Sequence, residues 1–197
     1  MFVRCSRRIA LFYQLRKATL ADQACLEALI ARSARTLGAR DYTAEQIEGA
    51  LRGTFGVDTQ LIIDGTYFVA ESGGEILGCG GWSRRRTLFG GDTGTSRDCS
   101  ELDPRTEPAK IRAFFVDPTH ARKGIGRALL KRCETDARAH GFLRAELMAT
   151  LPGVRLYGPL GYTARSLVHH ELAPGLTIEF VPMHKSISDE PPMKEGI

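Results

Sequence analysis

The clearest pattern in the chain is an apolar residue at every fourth position over 124–140, which predicts an amphipathic helix. Gly141 follows directly, and glycine is the residue type that most often ends a helix. Similar spacing predicts a second helix over 22–37. The sequence Thr43-Ala44-Glu45-Gln46 resembles a capping box and predicts a short third helix over 43–52. A further short helix is expected over 154–160, so the helices fall into an early and a late group.

Short apolar segments bounded by glycine and polar turn residues predict seven strands around these helices. The strands are expected at 11–19, 66–71, 76–82, 111–116, 143–149, 162–172 and 176–183. The turn chemistry of 72–75 predicts that the second and third strands form a hairpin. The resulting order, β-αα-ββ-loop-β-α-β-α-β-β, indicates a mixed sheet with helices on both faces.

Segments without periodicity set the expected limits of the folded part. The chain has 197 residues, the length of one domain. We expect a single domain over 11–185, an extension at 1–10 and a disordered tail at 186–197. The extension is rich in arginine and contains no acidic residue, so a transit peptide is the alternative interpretation. The polar stretch at 83–108 is expected to be a mobile functional loop or a disordered insertion.

Composition excludes several classes of protein. Apolar residues make up 43% of the chain and charged residues 25%, which argues against wholesale disorder, collagen or a coiled coil. The formal net charge of +4 is compatible with a small anionic ligand and too small to predict nucleic-acid binding. We therefore expect no nucleic-acid partner, and a chain that is a monomer or a homodimer.

Five cysteines lie far apart without a C-x-x-C pair, which favours reduced thiols over a disulfide framework or a zinc site. No apolar run approaches the ~20 residues of a membrane-spanning helix. These observations predict a cytoplasmic protein that uses neither a membrane nor a metal.

The segment that carries chemistry is the predicted strand 111–116, which runs into a basic, glycine-bearing turn that opens the long helix. The N-terminus of a helix presents unpaired N–H groups and a partial positive charge. Gly124 and Gly126 allow a ligand to approach the backbone closely. Three basic side chains add charge to this turn: Arg122, Lys123 and Arg127. The turn therefore predicts a site for a phosphate or pyrophosphate.

Two common nucleotide signatures do not fit this turn. The dinucleotide-binding fingerprint needs glycine or alanine at position 129, which is Leu129, and the lysine of a P-loop is missing after Gly126. On the two glycines alone, a solvated basic turn that caps an ordinary helix is the alternative interpretation.

The segment as a whole resembles the cofactor-binding core of the GCN5-related N-acetyltransferase (GNAT) family. In that family a strand ending V-x-P, here at Val116 to Pro118, precedes a loop of the form R/Q-x-x-G-x-G/A and a long helix. The family's downstream Leu-Tyr-x-x-x-Gly-Tyr stands here at 156–162. The resemblance extends over about 15–183. It implies an α/β (α+β) fold, the acyl-CoA N-acyltransferase fold, with a mostly antiparallel sheet of about seven strands splayed between the fourth and fifth.

The resemblance also implies acetyl-CoA as co-substrate and assigns roles to residues. The loop amides of 122–128 would hold the pyrophosphate, the backbone of 114–116 would pair with the pantetheine arm, and the Val116 N–H would polarise the thioester carbonyl. Tyr157 would protonate the leaving thiolate, with aromatic packing as its alternative role. The expected cofactor-binding residues are Phe114, Phe115, Val116, Ala121, Arg122, Lys123, Gly124, Ile125, Gly126, Arg127, Ala128 and Thr150.

The chain departs from the family pattern at three positions. Ala121 stands where the family usually has arginine or glutamine, and Arg122 is expected to supply that charge. Thr150 replaces a frequent asparagine and can still offer a hydroxyl. Lys110 stands where several relatives carry a glutamate base, and a protonated lysine cannot accept a proton.

No general base is assigned from the sequence. Four carboxylates lie on the expected late strand or in and beside the long loop, and each is more typical of a solvated charge: Glu146, Glu107, Asp103 and Asp98. His120 lies beside the phosphate turn and is expected to lie too far from the sulfur. His169 and His170 are adjacent on a strand and should point to opposite faces, which argues against joint metal ligation.

These interpretations predict an N-acetyltransferase that acts on a primary amine of a small-molecule or amino-acid-like acceptor, by direct attack in a ternary complex. A non-catalytic acyl-CoA-binding sensor on the same fold is the alternative. Ser33, Arg35 and Tyr42 are candidates for the acceptor pocket wall. The arginine triplet at 84–86 is interpreted as a solvated face, or as a contact to an acceptor carboxylate or to the 3′-phosphate of the coenzyme.

Overall fold

The computed structural model describes residues 12–87 and 100–188, and it confirms the predicted fold class. One sheet in the order β1-β2-β3-β4-β5-β8-β6, with β7 paired to β8, is antiparallel except for the β4–β5 pair. The strands are β1 (Gln14–Lys17), β2 (Tyr67–Ser72), β3 (Glu75–Ser83), β4 (Ala109–Val116), β5 (Arg144–Thr150), β6 (Thr163–Ala164), β7 (Val168–Ala173) and β8 (Leu176–Ser186). The helices are α1 (Gln23–Leu37), α2 (Ala44–Leu51), α3 (Thr59–Ile63), α4 (Ile125–Ala139) and α5 (Leu151–Tyr157).

The structure differs from the sequence prediction in three elements. Helix α3 was not predicted. The expected strand 162–172 is two strands, because β6 pairs with the end of β8 and β7 with its beginning. Helix α5 begins at Leu151, earlier than expected, because the Thr150 hydroxyl accepts a hydrogen bond from the Gly153 N–H at 3.2 Å and so caps it.

The described ends of the expected loop 83–108 are more ordered than its composition predicted. Arg85 and Glu101 form an isolated bridge, and the Arg86 N–H donates to the Ser100 carbonyl at 3.1 Å. The chain reversal at Asp103 is held by side-chain hydrogen bonds. Residues 88–99, in the middle of this stretch, lie outside the described part of the chain.

The chain termini carry two further predictions. Residues 1–10 lie outside the described ranges. The expected tail 186–197 begins too early, since Ser186 ends β8 and Ile187 is buried, with its N–H bonded to the Leu143 carbonyl at 2.9 Å. The rest of that tail, from 189 onward, is not described.

Apolar residues pack on both faces of the sheet. One core lies between the sheet and α4 and includes Trp82 and Leu129. The other lies under α1 and α2 and includes Leu29 and Phe180. Because each face of the sheet is covered by its own core, the sheet runs through the middle of the protein.

The central sheet opens between β4 and β5. These two strands pair only at Ala109 with Ala145 and Lys110 with Glu146. On its other edge, β5 pairs with β8 along its whole length, from Arg144 to Thr150. β4 meanwhile stays paired with β3 as far as Val116. The two strands therefore diverge, as the fourth and fifth strands were predicted to do.

Two observations are limited to the described residues. No helix there is long and apolar enough to cross a membrane. The three cysteines in these ranges, Cys25, Cys79 and Cys133, are free thiols.

Candidate functional site

A cavity of about 1180 Å³ lies where β4 and β5 diverge. Its walls come from β4, the turn before α4, α5, the C-terminal half of α1 and the 54–56 loop. The cavity brings together most of the residues singled out in the sequence. Those in its wall are Phe114, Phe115, Val116, Ala121, Arg122, Lys123, Gly124, Ile125, Gly126, Arg127, Thr150 and Tyr157. Ala128 is not part of the wall, and its N–H bonds to the Gly124 carbonyl inside α4.

The turn before α4 is shaped by left-handed backbone. Arg122 has a φ of 63° and Gly124 a φ of 90°, and Asp117 starts the turn by accepting hydrogen bonds from the Thr119 N–H and hydroxyl. A β-carbon at Gly124 would meet no atom within 4 Å, so the backbone there faces open space. The first amides of α4 thus open onto the cavity, an arrangement suited to an anion.

The basic residues of this turn differ from the other arginines near the cavity. Arg122, Lys123 and Arg127 are exposed and make no ion pair with any residue in the described ranges. In contrast, Arg84 to Arg86 all pair with carboxylates of Asp64, Glu101 and Glu107, and none of the three lines the cavity. The unbalanced positive charge is therefore concentrated at the N-terminus of α4.

The edge of β4 that faces the cavity has its amide groups aimed at the opening. The Asp117 N–H donates to the Leu77 carbonyl on β3 at 2.9 Å. Backbone groups alternate in direction along a strand, so the Val116 N–H points the other way, where it donates to Ser33 Oγ at a long 3.3 Å. An extended ligand can pair with this edge.

β4 also contains a bulge at the cavity. Phe115 pairs with Cys79 and Arg112 with Gly81, so Ala113 and Phe114 together stand opposite one residue, Gly80. Glycine is required at position 80, because a β-carbon there would come within 2.6 Å of the Phe114 ring.

The bulge places Ala113 at a φ of 54°, a left-handed conformation rare for alanine. Its carbonyl oxygen lies 3.3 Å from the Tyr67 hydroxyl and 3.7 Å from Cys79 Sγ. Both side chains are fully buried, so these contacts support the bulge from the core below.

Tyr157 lies at the end of α5 with its ring against the Phe114 ring at 6.1 Å and the Tyr162 ring at 5.7 Å, both edge-on. The residue is buried in packing and also lines the cavity, so both roles considered for it are compatible with its position. Burial raises the pKa of the Tyr157 phenol above its ordinary value, which keeps the hydroxyl protonated at neutral pH. The group can act as a proton donor.

None of the carboxylates considered as a base lies in the described cavity wall. Glu146 forms an ion pair with Lys110 where β4 and β5 still pair. Glu107 pairs with Arg86, and Asp103 holds its own turn. Asp98 lies outside the described residues. No group of three metal-ligating side chains occurs within 12–87 and 100–188.

His120 and Thr150 both line the cavity. His120 Nδ1 is 2.9 Å from the Thr119 hydroxyl, beside the turn before α4. The Thr150 oxygen caps α5, and its hydrogen is still able to bond a ligand.

Of the three candidates for the acceptor pocket wall, two line the cavity. Ser33 meets the Val116 N–H, and the Tyr42 hydroxyl donates to the Glu179 carbonyl at 2.7 Å while accepting from the Leu151 N–H at 2.8 Å. Burial raises the pKa of Tyr42 to about 12. Arg35 is not in the wall and pairs with Glu48 on the surface.

Sequence reasoning missed two parts of the site. Phe55 and its neighbours in the 54–56 loop line the cavity but carry no motif. Arg112 also lines it and forms a buried ion pair with Asp58 at 2.7 Å. A charged residue inside the apolar run 111–116 was a signal for the second.

The sequence profile of the acetyltransferase (GNAT) family matches residues 34–162. A search of the curated proteins found no match to the chain.

Several solved structures share the fold. A GCN5-related N-acetyltransferase from Rhodopseudomonas palustris, also described as a class-II aminotransferase, is 20% identical with a TM-score of 0.67, over 90% of this chain and 98% of that one. The PaiA N-acetyltransferase from Thermoplasma acidophilum, in complex with coenzyme A, is 15% identical with a TM-score of 0.63, over 89% and 99%. YncA from Salmonella typhimurium, with its cofactor acetyl-CoA, is 17% identical with a TM-score of 0.60, over 94% and 100%.

Proposed function

The chain belongs to the acetyltransferase (GNAT) family, and we propose that it moves the acetyl group of acetyl-CoA directly to a primary amine in a ternary complex. The acceptor is a small molecule or an amino-acid-like amine. The observation that carries this proposal is the cavity between β4 and β5, where an unbalanced basic turn, an open strand edge and a buried tyrosine meet.

The described residues fit acetyl-CoA. The α4 turn, with Arg122, Lys123 and Arg127, would hold the pyrophosphate, and the β4 edge at Phe114 and Val116 would bond the amides of the pantetheine arm. When bound, acetyl-CoA supplies an activated acetyl group as a thioester.

The residues of the chain have three tasks in the transfer. The strand edge and the cavity walls hold the amine and the acetyl carbon together, which supplies a large part of the rate. The Val116 N–H would leave its long bond to Ser33 and polarise the carbonyl oxygen. Tyr157 would donate its proton to the departing sulfur, while the amine gives its own proton to water.

Two measurements test the proposal. Acetyl-CoA at millimolar concentration should raise the melting temperature of the protein, and amines should then release free thiol. The Tyr157→Phe variant should lose about 10²–10³-fold in kcat, the usual contribution of a positioned proton donor, and keep its affinity for acetyl-CoA.

Tyr162→Phe is the matched control, since its ring packs against Tyr157 but does not line the cavity. It should keep nearly full activity. Binding of acetyl-CoA without turnover of any amine would favour the non-catalytic sensor. Failure of acetyl-CoA to stabilise the protein would overturn both functions.

A further inference from the structure

The cavity has an apolar half on the α1 and α2 side of the sheet, which we call the acceptor pocket. Its wall is formed by the C-terminal half of α1, the 54–56 loop and sheet residues that face α1. Phe55 lies edge-on to Phe115 at 5.8 Å and to Phe180 at 6.3 Å, and Leu37 and Met148 also line the space. Three aromatic rings and two long aliphatic side chains suit an apolar group.

Three polar side chains of this pocket already have partners inside the protein. The Tyr42 hydroxyl donates to one backbone group and accepts from another, and Ser33 Oγ accepts from Val116. Arg112 pairs with Asp58 and also donates to the Thr87 carbonyl at 3.1 Å. Few hydrogen-bonding side chains of the pocket are therefore left to bind a polar acceptor.

The pocket also lacks negative charge in the part of the chain that is described. No aspartate or glutamate there lines the cavity. Two carboxylates close to the wall face arginines: Asp58 pairs with Arg112 at 2.7 Å, and Asp41 pairs with Arg155 at 2.6 Å. Both arginines line the cavity and both carboxylates lie behind them.

This arrangement discriminates between classes of amine. The reacting amine must lose its charge to attack, but a second ammonium group would enter the pocket without a counter-ion and next to arginines. Burying an unpaired charge costs far more than burying a methyl group or a ring, which instead gains from the contact.

Resting on the proposed acetyl transfer, we propose that the acceptor is a monoamine with an apolar alkyl or aromatic body and no second positive charge. Diamines, polyamines and multiply charged aminosugars are therefore poor acceptors. The 2-phenylethyl group is of a size that the Phe55, Phe115 and Phe180 rings can surround.

The test is a comparison of n-hexylamine with 1,5-diaminopentane. The two have the same number of heavy atoms and differ only in a terminal methyl or ammonium group. We expect kcat/KM to be at least ~30-fold higher for n-hexylamine, and higher still for 2-phenylethylamine, because the apolar end is buried. Equal or higher kcat/KM for the diamine would overturn the inference and leave acetyl transfer intact. No turnover of any amine would overturn acetyl transfer, and the inference with it.

A pair of variants at one pocket residue tests whether the missing negative charge sets the preference between the two amines. Thr54 lines the pocket on the 54–56 loop. Thr54→Glu adds the missing carboxylate and should lower the ratio of kcat/KM for n-hexylamine to kcat/KM for 1,5-diaminopentane by about tenfold. Thr54→Gln, of matched size, should leave this ratio unchanged. An equal effect of both variants would show that size, and not charge, sets the preference.

Discussion

At the scale of single residues, the turn before α4 depends on left-handed backbone that most side chains resist. Gly124, with a φ of 90°, faces open space, so any residue with a β-carbon is disfavoured there by backbone strain alone. The same is true of Gly74, which has a φ of 82° in the turn between β2 and β3, away from the cavity. A comparison of alanine variants at these two glycines therefore separates the effect of backbone strain on stability from an effect on ligand binding.

We predict that Gly124→Ala and Gly74→Ala each lower the free energy of unfolding by about 1–2 kcal/mol, the cost of left-handed backbone for alanine. Only Gly124→Ala should weaken acetyl-CoA binding, because its methyl group would enter the turn that is proposed to hold the pyrophosphate. Chemical denaturation and calorimetric titration measure the two effects. Unchanged acetyl-CoA affinity in Gly124→Ala would contradict the placement of the pyrophosphate.

The absence of a carboxylate base from the described wall has a kinetic consequence. We predict that kcat/KM rises roughly tenfold per pH unit and levels off at the pKa of the amine itself, because only the neutral amine attacks. The inflection should therefore move to lower pH when a less basic amine, such as benzylamine, replaces n-hexylamine. An inflection shared by both amines would instead identify a base on the protein.

At the scale of elements, the bulge in β4 is the feature that sets the cavity edge. The strained Ala113 is held by the Tyr67 hydroxyl and the Cys79 thiol below it. A backbone held in an unfavourable conformation needs such support, and here the support comes from both strands of the β2–β3 hairpin and not from β4.

We predict that Tyr67→Phe lowers the free energy of unfolding by about 1 kcal/mol, the usual loss for one buried hydrogen bond. It should also lower kcat about tenfold with little change in the KM for acetyl-CoA. The reason is that relaxation of the bulge would move the Val116 N–H, which is proposed to polarise the thioester carbonyl. Steady-state kinetics well below the melting temperature measures this. The same loss of stability with an unchanged kcat would show that Tyr67 only packs.

Elements defined by local signals were predicted from the sequence. The capping box of α2 is confirmed, since Thr43 Oγ1 accepts from the Gln46 N–H at 3.2 Å and Gln46 Oε1 accepts from the Thr43 N–H at 2.9 Å. Gly141, expected to end the long helix, has a left-handed φ of 89°. Such signals lie within a few residues and need no knowledge of distant contacts.

Elements and roles set by distant contacts were not predicted. Helix α3 has five residues and no side-chain hydrogen bond at its N-cap, and it is stabilised by the burial of Leu61 and Ile62 in the core. The motif residues of the cofactor turn were found because they are contiguous, whereas Phe55 reaches the cavity through tertiary packing. Glu146 forms an ion pair with Lys110 across the β4–β5 pair, 36 residues away in the sequence, so this contact too depends on the tertiary fold.

At the scale of the whole molecule, carboxylates tied to arginines join distant parts of the chain. Asp22 is an example: the Arg16 guanidinium, hydrogen-bonded to it at 2.8 and 2.9 Å, lowers the pKa of that carboxyl to about 2 from 3.8. Arg16 also bonds Glu71, so the group joins β1, β2 and the turn before α1. Asp41, Asp64 and Asp117 likewise have lowered pKa values.

Because the pKa of Asp22 is lower in the folded state, its ionised form stabilises the fold. This contribution is complete above about pH 4 and is lost as pH falls toward 2. We predict that the melting temperature falls over this window, and that Asp22→Asn is less stable at neutral pH and less sensitive to acid. Melting curves from pH 2 to 7 measure both. An unchanged acid dependence in Asp22→Asn would contradict the assignment.

The divergence of β4 and β5 leaves an edge strand in the interior of the protein. Edge strands on the outside of a sheet invite pairing with other polypeptides and are a common origin of aggregation. Here α1 and α5 line the cavity onto which this edge opens, so the edge lies between helices and not on the outer rim of the sheet. The proposed ligand, an arm with amide groups, would thus complete inside the protein the strand pairing that an outer edge leaves open to other polypeptides.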